Sequence, residues 1–148
     1  MRFERSYPIR FAHCDFAGIV FYPQYLVLFN DHVEDWFNEA LGQDFGAYHG
    51  ELGLGIPTVR LECDFLRPSR IGDSLTLWLE IERLGERSVT LARGARVGDE
   101  QRVALRQVLV CVELARQSSR PWPDSLRRAM LPYVAQPRHS NEEGNVKR

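Results

Sequence analysis

One stretch of the chain, from about Pro23 to Leu41, constrains what the rest must fold into. Tyr25, Phe29, Val33, Trp36, Phe37 and Ala40 recur there at helical spacing, while Asp31, Glu34, Asp35 and Glu39 occupy other faces. Pro23 suits the first residues of a helix and Gly42 its end. A helix with so aromatic a stripe must be covered, and the remaining segments offer strands to do it. Residues 5–13 read as a first strand interrupted near its start by Pro8. Val59, Leu61, Cys63 and Phe65 alternate with charged neighbours, and Leu75, Leu77, Leu79 and Ile81 alternate with Thr76, Trp78, Glu80 and Glu82, so both segments are expected as half-buried strands.

Turn signals at Pro68, Gly72-Asp73, Gly85-Glu86 and Gly98-Asp99 set off two more strands, 87–97 and 101–115, the latter with a Val108–Val112 run that reads as buried on both faces. Residues 43–55, rich in glycine, are expected as a connection with at most a short helical turn, and a second short turn is expected at Asp124–Met130 between prolines. The order strand, helix, four antiparallel strands predicts an α+β fold in which a five-stranded antiparallel sheet wraps one central helix. A single domain over 1–135 and a polar, aperiodic tail over 136–148 that is expected to be disordered complete the reading.

Composition removes several function classes. With 19 Lys+Arg against 20 Asp+Glu, the net charge of -1 gives no field that favours nucleic acid or an anionic membrane. Cys14, Cys63 and Cys111 lie far apart, without a C-x-x-C pair or a neighbouring histidine set, so neither a disulfide framework nor a zinc site is expected. The first residues lack the apolar core of a signal peptide and no 18-residue apolar run occurs, which makes the cytoplasm the expected address and membrane insertion unexpected.

The densest chemical signal is Asp15-Phe-Ala-Gly18-Ile-Val-Phe-Tyr22-Pro-Gln-Tyr25, a carboxylate in a loop just ahead of a helix. The first N–H groups of a helix lack intrahelical acceptors and sit at the positive end of its dipole, so they stabilise an oxyanion growing on a substrate carbonyl. The nearby carboxylate supplies a base or nucleophile, and Gly18, without a Cβ, permits close approach of backbone and substrate. The plain alternative is that Asp15 only closes a turn while Tyr22 and Tyr25 fill the core.

With this spacing the sequence resembles the hotdog-fold thioesterases of the 4-hydroxybenzoyl-CoA thioesterase family, marked by an Asp-x-x-Gly-(Ile/Val)-Val-(aromatic)-x-x-x-Tyr segment leading into the central helix. The resemblance runs over about residues 5–133, including Gly55-Ile-Pro-Thr58 and the four later strands in order. It implies hydrolysis of an aroyl-CoA or acyl-CoA thioester. Asp15 would be the catalytic carboxylate, the Tyr22 backbone N–H the oxyanion donor, and Gly18, Tyr25, Asn30 and Thr58 would contact the acyl group. Arg83, Arg87 and Ser88 would meet the CoA moiety. CoA is then part of the substrate and no cofactor or metal is implied; a homodimer assembling to a homotetramer is. The Phe-Tyr-Pro-Gln-Tyr run is closer to the hydroxybenzoyl branch than to the Tol-Pal-associated one, which carries His at the place of Tyr22.

Two departures bear on substrate. The hydroxybenzoyl branch has Asp where Asn30 stands, so a hydrogen bond to a ring hydroxyl would carry no charge. Gly85 and Glu86 occupy part of a stretch where that branch is basic. Alternatives are a thioesterase for short acyl groups on CoA or acyl carrier protein, and a non-catalytic acyl-CoA-binding module. A His13–Cys14 dyad is disfavoured because neighbouring side chains on extended backbone diverge, and Cys14 is expected to be buried. Asp31, His32, Glu34 and Asp35 read as a solvated or interface-facing acidic face rather than a metal site. Glu34 is the rival catalytic carboxylate, since another hotdog lineage draws its carboxylate from the central helix. Trp36, Phe37 and Trp78 are expected in the core.

Overall fold

The computed structural model describes residues 1–137. The tail expected over 136–148 falls almost wholly outside the described residues. Helix α1 spans Tyr22–Asp35 and runs into a π-helical turn, Trp36–Ala40, closed by a bond of 3.0 Å from Leu41 N–H to the Trp36 carbonyl. That wider turn carries the adjacent Trp36 and Phe37, both buried, before Gly42 ends the helix at φ +65°. Helix α2, Phe45–Gly50, is the short turn expected in the glycine-rich connection; Asp44 caps it by accepting from Ala47 N–H at 2.7 Å.

The helix lies on a five-stranded antiparallel sheet. Its strands are β1 (Phe3–Pro8), β3 (Thr58–Phe65), β4 (Ser74–Leu84), β5 (Ser88–Val97) and β6 (Glu100–Val110), in the order β1-β4-β5-β6-β3. Alternation positions it: Leu75, Leu77, Leu79 and Ile81 of β4 are fully buried under the helix, with Trp78 on the opposite face. Trp78 lies across Gly94 of β5, where a Cβ would come within 2.5 Å of its indole nitrogen, so that expected core residue packs outside the core. A second, three-stranded sheet, β2 (Leu54–Gly55), β7 (Val112–Glu113) and β8 (Ser118–Ser119), was not foreshadowed by the sequence pattern. Helix α3, Asp124–Met130, matches its expected bounds and closes the core with Leu126 and Met130.

Three strand expectations need correction. The first strand ends at Pro8, and residues 11–13 form a 3₁₀ turn, because Arg10 N–H donates to His13 Nδ1 at 2.9 Å instead of joining the sheet. The last strand breaks at Cys111, whose N–H bonds the Arg87 carbonyl at 2.8 Å, and Val108, Val110 and Val112 are half-buried rather than enclosed. Strand β3 is a sheet edge with Val59, Leu61 and Phe65 exposed in the protomer, so its alternation is real but its apolar face is only thinly covered.

Buried side chains form two clusters along the helix. One surrounds its C-terminal end, with Trp36, Phe37, Tyr48, Leu91, Trp122, Met130 and Tyr133. The other lies under its N-terminal end, with Val20, Tyr25, Leu28, Phe29, Leu77 and Leu105.

Candidate active site

The loop before α1 is a tight hairpin. Cys14 bridges Val20, Asp15 N–H donates to the Ile19 carbonyl at 3.0 Å, and Phe21 N–H donates to the His13 carbonyl at 2.9 Å. Within it Gly18 N–H donates to the Asp15 carbonyl at 3.0 Å, and Gly18 takes φ +72°. That left-handed conformation is why a glycine stands three residues after the aspartate. Asp15 Oδ1 accepts from Ala17 N–H at 2.9 Å, so one carboxylate oxygen does brace the turn. Oδ2 has no partner among the described residues. The exposed carboxylate shares an apolar depression with Phe11, Cys14, Phe16, Gly18 and Ile71.

The hairpin delivers the chain to the start of α1. Gln24 N–H turns back to the Phe21 carbonyl at 2.8 Å and Pro23 has no N–H, while Tyr22 N–H has no acceptor among the described residues. An open donor thus stands at the positive end of the helix, a few residues along the chain from the carboxylate. The Tyr22 ring is exposed and meets Phe21 and Phe65 at centroid distances of 5.5 and 5.9 Å.

Tyr22, Leu26 and Asn30 follow at successive i+4 steps on one helix face. That face leads to a cavity of about 210 Å³ between α1, β3 and β6, lined by Leu26, Phe29, Asn30, Thr58, Leu61 and Gln107 among others. The structure therefore brings Asp15 and Gly18 together in one place and Asn30 and Thr58 in another. Tyr25 belongs to neither lining: it is buried in the core against Phe65.

Sequence reasoning missed the polar cluster behind this cavity. Arg93 of β5, 1% exposed, donates to the Phe29 carbonyl at 2.7 Å and Gln107 Oε1 at 2.8 Å, and meets His32 Nδ1 at 3.0 Å. Gln107 Nε2 in turn donates to Thr58 Oγ1 at 2.9 Å. Val89, Leu91 and Ala95 are buried at alternate positions of the same strand, so period two alone places Arg93 on the core face. Burial lowers its proton affinity to about 9, leaving it charged at neutral pH. His32, expected on a solvated or interface-facing face, is fully buried. Desolvation, reinforced by the Arg93 charge, drops its pKa from 6.5 to about 3 and keeps it neutral.

Arg83, Arg87 and Ser88 gather at the β4–β5 turn. Arg87 donates to the Ser119 carbonyl at 2.8 Å, and the Ser88 carbonyl accepts from Gly85 N–H and the Trp122 indole, so both help fasten the C-terminal segment. Arg83 and Arg87 remain exposed. His13 and Cys14 both bond to Arg10 backbone groups, and Cys14 is half-buried rather than buried. Glu34 is exposed and lies outside both linings. No cluster of metal-ligating side chains occurs among the described residues.

Comparison with known proteins places these features in company. The sequence profile of the thioesterase-like superfamily matches residues 9–130. A 1,4-dihydroxy-2-naphthoyl-CoA hydrolase from Thermosynechococcus vestitus is 29% identical over 119 residues, covering 80% of this chain and 81% of that protein. Among solved structures, a 1,4-dihydroxy-2-naphthoyl-CoA thioesterase from Synechocystis superposes with a TM-score of 0.80 at 20% identity, covering 88% of this chain and 96% of its own. A Staphylococcus aureus protein solved in complex with CoA superposes with a TM-score of 0.81 at 16% identity, covering 93% of this chain and 90% of its own.

Proposed function

We propose that this chain, which belongs to the thioesterase-like superfamily, hydrolyses an aroyl-CoA or acyl-CoA thioester to CoA and a free carboxylic acid. The observation that carries the reading is that one short hairpin joins the Asp15 carboxylate, which keeps an oxygen without a partner among the described residues, to the helix start where Tyr22 N–H has no acceptor among them. The thioester oxygen accepts from Tyr22 N–H, which stabilises the tetrahedral oxyanion more than the ground-state carbonyl. Asp15 then acts in one of two ways. As nucleophile it attacks the carbonyl carbon, expels the CoA thiolate and leaves a mixed anhydride for water to hydrolyse. As general base it takes a proton from the attacking water.

The acyl group extends from there along the face of Tyr22, Leu26 and Asn30 toward Thr58. The hydroxylated aromatic acyl group in the relatives' names favours an aromatic acid of the 4-hydroxybenzoyl or dihydroxynaphthoyl kind. Gly18 leaves room beside the carbonyl and Tyr25 holds the helix in place from the core side. Arg83, Arg87 and Ser88 supply the surface for the CoA moiety. The reading needs no metal or cofactor, CoA being part of the substrate, and places the enzyme in the cytoplasm. Exposed Val59, Leu61 and Phe65 on the open β3 edge suit pairing with a second copy, giving a homodimer and from it a homotetramer.

The test is thiol release from benzoyl, 4-hydroxybenzoyl, 1,4-dihydroxy-2-naphthoyl, phenylacetyl and short aliphatic CoA esters, with wild type beside Asp15→Asn. Aryl-selective turnover that falls roughly 100- to 10,000-fold in the variant is expected. Selectivity for short aliphatic esters would move the assignment to the short-acyl class. Folded protein that binds CoA esters without turning any over would make it a binding module. Full activity in Asp15→Asn with loss in Glu34→Gln would transfer catalysis to the helix carboxylate. After a single turnover in oxygen-18 water, label in Asp15 identifies the anhydride route.

A further inference from the structure

Arg93 poses a problem that the fold alone does not answer. Its guanidinium is wholly buried, yet the ion pairs of the described residues all involve other arginines. A buried cation without a counter-ion costs stability that a leucine or methionine of similar volume would not. What the charge has instead is a row of neutral acceptors: the Phe29 carbonyl, His32 Nδ1 and Gln107 Oε1.

The row has a direction. A guanidinium can only donate, so the Gln107 amide must turn its oxygen to Arg93 and its NH₂ away. That NH₂ reaches Thr58 Oγ1 at 2.9 Å and occupies one of the hydroxyl's lone pairs. No described residue accepts the Thr58 proton. Thr58, Gln107 and Asn30 all line the same otherwise apolar cavity. Each link is polarised by the cation behind it, which strengthens the last donor.

We infer that Arg93 and Gln107 are positioning residues that fix the Thr58 hydroxyl as a hydrogen-bond donor into the acyl cavity, selecting acyl groups that carry an acceptor oxygen at the end remote from the thioester. This rests on the thioesterase reading above for what occupies the cavity. The class selected is an aroyl group with a ring hydroxyl or phenolate oxygen. The selection acts through Thr58 from a charge that never touches substrate. Thr58 is exposed in the protomer, so its proton meets water until an acyl group covers it. An unsubstituted ring then leaves that proton unpaired against an otherwise apolar lining, and that loss sets the discrimination.

The experiment compares benzoyl-CoA with 2-, 3- and 4-hydroxybenzoyl-CoA by kcat/KM. In parallel, calorimetry compares binding of the non-hydrolysable thioethers phenacyl-CoA and 4-hydroxyphenacyl-CoA, so the inference is tested even without turnover. Wild type is expected to favour at least one hydroxylated ester over benzoyl-CoA by roughly tenfold or more, and the hydroxylated thioether likewise. Thr58→Val removes the donor and brings both ratios near unity. Gln107→Glu keeps a partner for Arg93 but turns a second acceptor toward Thr58, whose proton then points back into the protein. The ratio is expected to fall to unity or below. Packing damage would depress both members of each pair and leave their ratio alone. Equal use and equal binding of both members by wild type, absence of binding of either thioether, or ratios unmoved in both variants overturn the inference. Failure of the thioesterase reading shows separately, as binding of the thioethers with no hydrolysis of any ester.

Discussion

The two ends of the central helix are built on different principles. Around its C-terminal end the core is sealed on every side: Trp36 meets Phe37 and Tyr133 edge to face at 5.9 and 5.5 Å, Phe37 meets Tyr48 at 5.4 Å, and α3 closes over them. Around its N-terminal end an open N–H, a carboxylate with one free oxygen and an exposed β3 edge are left without partners among the described residues. One end is finished by folding. The other keeps its polar groups available and its apolar strand uncovered, which is what binding and assembly require.

That contrast can be broken experimentally, and the largest effect is expected at the sealed end. Trp36→Ala should cost about 3–5 kcal/mol of stability by urea unfolding, since a fully buried indole leaves a cavity its neighbours cannot collapse into. A loss below about 1 kcal/mol would mean that this end is no better packed than the other.

His32 sits between the two ends and gives the intermediate effect. It is neutral in the fold, with a pKa of about 3, and the unfolded chain takes up a proton near 6.5. Stability from this group is therefore full above pH 6.5 and falls as pH drops from there toward 3, by at most about 1.4 kcal/mol per unit. Roughly 1 kcal/mol should go between pH 7 and 5.5, and His32→Gln should flatten that slope in urea titrations.

The smallest effect belongs to Asp15. Asparagine retains the oxygen that accepts from Ala17 N–H, so Asp15→Asn should change stability by less than about 0.5 kcal/mol while turnover collapses. If the variant unfolds, the carboxylate serves the turn rather than the chemistry.

Much of the framework was readable from periodicity. The buried face of β4, the helix start near Pro23 and the bounds of α3 follow from alternation, a helix-starting proline and flanking prolines, all of them local rules. The end of β1 was not legible, because it depends on a bond from one backbone N–H to the ring of His13. The coverage of β3 was not legible either, since alternation tells which side chains share a face and nothing about what stands opposite. At the site, the Asp15–Gly18 turn follows from its spacing. The cluster of Arg93, Gln107 and Thr58 does not, because its members are brought together by the β5–β6 and β3–β6 registers, in which Arg93 faces Leu105 and Leu61 faces Gln107. Arg93 could have been flagged as a charge at an inward position; its partners could not.

The strand order also sets a timetable. During synthesis at roughly 5–20 residues per second the helix leaves the ribosome early, with its aromatic stripe bare. Strand β1 waits for β4, pairing Phe3 with Leu79, and Trp36 waits for Tyr133, 97 residues later. Until then the nascent chain presents Phe29, Trp36 and Phe37 to its surroundings, and every expression host must shelter that stripe for seconds. Slowing translation late in the message, after the helix and before α3, would lengthen that exposure, whereas a pause before Pro23 would not.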